Sequence, residues 1–133
     1  MAKVYLCDEL AFRGLKCYLG SKRQIMALAG KLNNFIYVDK GYHRSVSEVI
    51  YKDIKSRNGL IVSLDEEGAV DYPDRSTLRS RYSKSLFKNA DLVFMWGAAQ
   101  RSFVGDIVDG KDKIRITGHP RFELLKSPFR FLY

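Results

Sequence analysis

Cysteine is scarce in this 133-residue chain: Cys7 and Cys17 are the only two, with no Cys-x-x-Cys spacing and no further partner. That excludes a disulfide framework and a four-ligand zinc site, and predicts buried, reduced thiols. Long apolar runs are missing too. The longest nearly apolar stretch, Leu92 to Ala99, falls far short of the ~20 residues that cross hydrocarbon. At the N-terminus only Val4 to Cys7 run apolar before Asp8 and Glu9, too few for a secretory core segment, so a cytoplasmic protein is expected. There is no tandem repeat, low-complexity tract or Pro/Gly/Ser linker, which makes residues 1–133 one expected domain. Neither Gly-x-Gly-x-x-Gly nor a Walker A pattern occurs, which argues against dinucleotide oxidoreductases and P-loop enzymes. No cofactor and no metal site are expected. Acidic residues are outnumbered, 15 against 23 Lys+Arg, leaving a net charge of +8. Such a balance favours anionic partners: nucleic acid, acidic lipid headgroups or phosphorylated substrates. Nucleic acid is not expected, because no recognised module and no clustered exposed aromatics accompany the charge.

What is present is a globular composition, 46% hydrophobic and 13% aromatic, in a chain long enough to bury roughly two-thirds of its unfolded surface. Short β-branched or aromatic runs recur: Leu15 to Leu19, Phe35 to Val38, Leu60 to Leu64, Leu92 to Trp96 and Ile114 to Thr117. Each reads as a buried strand. Helical periodicity fills the intervals, through Val46, Val49, Ile50 and Ile54, and through Ala99, Phe103, Val104, Ile107 and Val108. Ser45 with Glu48 makes a capping box ahead of the first of these, and Gly59 is placed to end it as a left-handed cap, with Gly14 and Gly110 in the same role. Alternating helices and strands predict right-handed parallel crossovers and a doubly wound, Rossmann-like α/β sheet. The chain opens on a helix, Lys3 to Arg13, amphipathic through Val4, Cys7 and Ala11, with no strand before it. It closes on the uncapped apolar run Ser127 to Tyr133. Both ends suggest truncation, with a first strand lacking.

In open parallel sheets ligands bind past the carboxyl ends of the strands, so the residues after each run carry the functional information. Gly20-Ser21-Lys22-Arg23 combines a turn, a hydroxyl cap and two cations; it either starts a helix or holds phosphate or carboxylate at its amide groups. Asp39-Lys40-Gly41-Tyr42-His43-Arg44 places a histidine among charges, suited to an anionic sugar or a proton shuttle, or simply to capping a loop. Asp65-Glu66-Glu67-Gly68 crowds three carboxylates, which poises a general base or acid by like-charge repulsion, or else forms a salt-bridged turn with Arg75 and Arg79. Strand alternation aims Asp65 and Glu67 to one side and Glu66 to the other. Gly118-His119-Pro120-Arg121 reads as a strand-to-helix turn, with Arg121 able to grip an anion. One further helix carries Arg75, Arg79, Arg81, Lys84 and Lys88 over a buried stripe of Leu78, Tyr82 and Leu86. Its cations form a solvated face or a contact with anionic headgroups.

Five segments, Gly14 to Ile25, Ile36 to His43, Ile61 to Gly68, Ala90 to Gly97 and Ile116 to Leu125, together resemble the N-terminal half of bacterial surface carbohydrate biosynthesis proteins. These are similar to GT-B glycosyltransferases, two Rossmann-like domains facing across a cleft. The resemblance implies that this half binds the glycan acceptor, that the nucleotide-sugar donor sits mostly on an absent C-terminal half, and that the chain alone is inactive. It also implies a strand ahead of the opening helix. Related sialyl- and Kdo-transferases carry an acid-acid-Gly motif with the catalytic carboxylate, matched by Glu66-Glu67-Gly68, and a nucleotide-contacting His-Pro, matched by His119-Pro120. In those enzymes the His-Pro lies in the donor half, whereas here it ends the acceptor half. The expected site is therefore Asp65, Glu66 and Glu67 for catalysis, with Gly20, Ser21, Lys22, Arg23, Lys40, His43, His119 and Arg121 around the substrate. The alternative is a non-catalytic module that binds an anionic membrane or a polysaccharide-assembly partner through the basic helix.

Overall fold

The computed structural model describes residues 2–66, 74, 76–105 and 109–126, which divide into two compact units, residues 33–119 and residues 1–32 with 120–133.

The larger unit is an α/β layer. Four strands, β1 (Ile36–Asp39), β2 (Leu60–Ser63), β3 (Leu92–Met95) and β4 (Ile114–Ile116), form one sheet in which every pairing is parallel and the order is β1-β2-β3-β4. These are four of the five strands expected from the sequence. Their connections are helical: α3 (Arg44–Ser56), then α4 (Ser76–Arg81) and α5 (Lys84–Asn89), then α6 (Ala98–Gly105) with a 3-10 turn, Lys111–Lys113.

Right-handed crossovers that always step to the next strand deposit every linking helix on the same face. Burial follows that rule. Tyr37, Asp39, Ile61, Ser63, Val93, Met95 and Ile114 are buried, while Ile36, Val38 and Leu60, pointing the other way, are exposed. A doubly wound sheet, with helices on both faces, requires the strand order to reverse, and the four described strands run in one direction only.

Three local expectations shift for identifiable reasons. The buried stripe of α3 is Ser47, Tyr51 and Ile54, not the valines, because the buried carboxylate of Asp39 draws hydroxyl donors toward the sheet. Val46 and Val49 face outward. Its N-cap is His43 rather than Ser45, and the Ser47 hydroxyl accepts the His43 amide at 3.0 Å. At the C-terminus of α3 the left-handed residue is Asn58 (φ 56°), with the amides of Gly59 and Asn58 bonded to the carbonyls of Ile54 and Lys55. Gly59 serves a different need: a Cβ there would lie 2.5 Å from Ile54 Cγ2 and 2.8 Å from the Ile54 carbonyl oxygen.

The single basic helix is in fact two. Ser83 caps α5, its hydroxyl accepting the Leu86 amide at 3.4 Å, and this breaks the run after Tyr82. Tyr82 and Leu86 are buried as expected and Leu78 is half-buried. Arg75, Ile107, Val108 and residues 127–133 lie outside the described residues.

The smaller unit holds α1 (Ala2–Phe12), α2 (Lys22–Ala29) and α7 (Pro120–Glu123), with α1 touching α7. Gly14 (φ 84°) ends α1 as expected, its amide bonding the Ala11 carbonyl while the Leu15 amide bonds that of Leu10. The strand expected at Leu15 to Leu19 is absent: Leu15 gives its amide to the helix end rather than to a ladder, and Leu15, Tyr18 and Leu19 are exposed. The amphipathic stripe expected on α1 buries nothing; Val4 and Ala11 are exposed and Cys7 half-buried. Cys7 and Cys17 are free thiols, half-buried rather than buried.

Candidate functional site

Past the carboxyl ends of β1, β2 and β4 the chain of the larger unit turns through polar residues, past β3 through Trp96 and Gly97, and these turns are fastened to one another. At the end of β1, Asp39 is buried and accepts hydrogen bonds from the hydroxyls of Tyr51 (2.9 Å) and Ser47 (3.5 Å). Burial, and then the adjacent Asp39 charge, raise the Tyr51 hydroxyl well above its ordinary range. Tyr42 is also buried, donating to Glu48 Oε1 at 3.0 Å, and Glu48 accepts from Ser85 at 2.7 Å as well. Those two hydroxyls hold the Glu48 carboxyl below its usual value. Glu48, expected to complete a capping box, instead joins α3 to α5. Lys40 and His43 stand exposed on this same turn.

After β2 come Asp65 and Glu66, both buried. The carboxylate of Asp65 is occupied on both oxygens, by Arg81 Nη1 at 3.2 Å and by the Tyr82 hydroxyl at 3.1 Å. Burial and this carboxylate push the Tyr82 hydroxyl far up. Among the described residues Arg81 is thus an ion-pair partner of the acidic turn, a pairing not expected from the sequence; the expected partner Arg75 lies outside the described residues. Arg79 lies over the Phe103 ring at 5.9 Å. The Glu66 amide donates to the Lys40 carbonyl at 3.0 Å, carrying the link between β1 and β2 past the end of the sheet. The expected alternation of Asp65 against Glu66 does not hold, because β2 ends at Ser63 and both residues lie in the turn beyond it. Glu67 and Gly68 lie outside the described residues.

After β3 and β4 come Trp96 and His119. The Trp96 indole N–H donates to the Asp65 carbonyl, and His119 Nε2 lies 3.1 Å from the Glu66 carbonyl oxygen. The two rings meet edge to face with centroids 4.1 Å apart. The sequence pattern puts Trp96 at the end of a buried apolar run and carries no local signal of this contact, which joins residues 31 apart.

Lys40, His43, Asp65, Glu66 and His119 therefore share the strand-end rim of the larger unit. The other expected substrate groups belong to the smaller unit. There Ser21 caps α2 in a reciprocal box with Gln24, so Gly20-Ser21 starts a helix, and Lys22, Arg23 and Arg121 are exposed. Among the described residues no three His, Cys, Asp or Glu side chains cluster closely enough to hold a metal ion, and no helix is long and apolar enough to cross a membrane.

Fold and rim together define an α/β protein with an all-parallel sheet and an acid-bearing turn at its strand ends. Comparison with family models, with curated proteins and with solved structures returns no match for this chain.

Proposed function

We propose that this chain is the acceptor-binding half of a GT-B-like glycosyltransferase of surface polysaccharide synthesis, a doubly wound Rossmann-like unit in its complete form. A nucleotide-activated sugar would be held mostly by a second such half. The supporting observation is Glu66, 6% exposed at the strand-end rim with its amide and carbonyl both engaged by neighbouring turns. A carboxylate held this way can take the proton of an acceptor hydroxyl as it attacks the sugar carbon, while Lys40 and His43, exposed on the adjoining turn, attract the anionic part of a glycan. The oxygens of Asp65 are held by Arg81 and Tyr82; Glu67 completes the acidic set. The smaller unit carries its own candidate groups for an anion, the exposed Ser21, Lys22, Arg23 and Arg121. In a protein joining this sequence to a donor-binding half, Glu66→Gln is expected to slow sugar transfer about 10²- to 10⁴-fold, the usual worth of general-base assistance. Undiminished transfer in Glu66→Gln and Glu67→Gln alike removes the carboxylates from catalysis.

One observation favours a second reading, peripheral binding to an anionic membrane on the cytoplasmic side. Lys84, Phe87, Lys88 and Lys113, with Asp109 and Gly110, line an open depression of about 440 Å³. Lys113 is occupied by the carbonyls of Phe87 and Ala90, which leaves as its outward charge the exposed Lys84 and Lys88 against the exposed Asp109. Flotation with anionic vesicles at low salt, lost in the Lys84→Glu/Lys88→Glu double variant, is the expected result. No enrichment of the unaltered chain on such vesicles ends that reading.

A further inference from the structure

The acidic turn leaves the sheet carrying carbonyl groups that no strand among the described residues pairs, and a buried carbonyl without a donor costs free energy. The donors arrive as side chains from two other strand ends. One residue past β3, the Trp96 indole N–H meets the Asp65 carbonyl, and three residues past β4, His119 Nε2 meets the Glu66 carbonyl at 3.1 Å. A carbonyl only accepts, so Nε2 must carry the proton. Trp96 is itself fixed, its backbone amide donating to Gln100 Oε1 at 2.7 Å, and the Thr117 amide ties the end of β4 to the Met95 carbonyl at 3.0 Å. With the Glu66 amide bonded to Lys40, the turn is fastened to the segments that follow β1, β3 and β4.

We infer that Trp96 and His119 are positioning residues that lock the Asp65–Glu66 turn through its two carbonyls, and that His119 is not a ligand contact. His119 is 5% exposed and its Nε2 is committed to the protein backbone. Its importance for sugar transfer rests on the function proposed above; the lock itself does not. Pre-set backbone gives the Glu66 carboxylate one direction before any substrate arrives, and a site loosened by an ångström loses much of its rate.

The test uses the intact chain and needs no substrate. In the unaltered protein labelled with ¹⁵N, His119 is expected as the Nε2–H tautomer; the Nδ1–H tautomer overturns the assignment. Hydrogen exchange then reads the lock at the Glu66 amide, against the Leu60 amide, bonded to the Phe35 carbonyl at the far end of β2, as internal control. His119→Leu and Trp96→Phe should each speed Glu66 exchange roughly tenfold or more, the loss expected for one hydrogen bond to a buried carbonyl, with Leu60 unchanged. His119→Gln, which keeps a donor near the Nε2 position, should return exchange to about the original rate. Unchanged Glu66 exchange, equal acceleration at Leu60, or failure of Gln to rescue overturns the proposal. A chain that locks its turn yet supports no sugar transfer contradicts only the transferase reading.

Discussion

Asp39 is a buried carboxylate held by two hydroxyls of α3, and its charge bears on the neighbouring tyrosines. Burial, then Asp39, push the Tyr37 hydroxyl up from 10.0 to about 12. For a group whose folded value is raised, the stabilisation is intact below the unfolded value and is lost as pH climbs through the folded one. Stability measured by denaturant should therefore fall between pH 10 and about 12, with Tyr51 and Tyr82, raised further, contributing to the same decline. Tyr37→Phe should make that fall shallower without removing it. Equal slopes in the two proteins would refute the attribution to Tyr37.

At the scale of elements, helix ends show why residue type at a boundary matters more than boundary position. Asn58 and Gly59 divide work that the sequence pattern assigns to Gly59 alone: Asn58 takes the left-handed conformation and Gly59 makes room for Ile54. Their substitutions should differ accordingly. Asn58→Gly relieves the left-handed strain and should be neutral or slightly stabilising. Gly59→Ala forces a methyl into backbone and the Ile54 side chain and should cost about 1–3 kcal/mol, by analogy with core overpacking. Denaturant midpoints of the two variants check the contrast; a harmless Gly59→Ala would show that the close approach relaxes freely. Ser83 teaches the same lesson, since one hydroxyl divides an apparently continuous basic helix, and Arg81, at the end of α4 before the break, turns to Asp65 instead of joining a cationic face.

At the scale of the whole larger unit, the one-directional strand order produces a sheet with a helix-covered face and an open one. Neighbouring residues on β2 sample the two: Ile61 is 0% exposed and Leu60 50%. Ile61→Ala should cost about 2–5 kcal/mol, whereas Leu60→Ala, removing a side chain already half in water, should cost less than about 1.5 kcal/mol. Comparable losses at the two positions, measured by chemical denaturation, would contradict the face assignment.

The sequence alone determined the α/β class, four of the strands, the helices between them and the rim where polar residues collect. Those features follow from local patterning: short β-branched runs, helical periodicity and the composition of turns are set by neighbours along the chain. Only tertiary structure decided that Ser47 and Tyr51 rather than the valines face the sheet, that Arg81 answers Asp65, and that Trp96 and His119 meet the backbone of the acidic turn. These pairings join residues far apart in sequence, between 8 and 53 positions, and are fixed by the need of buried carboxylates and carbonyls for donors. The expected strand at Leu15 to Leu19 shows the limit from the other side, because a strand exists only when a second one supplies its ladder.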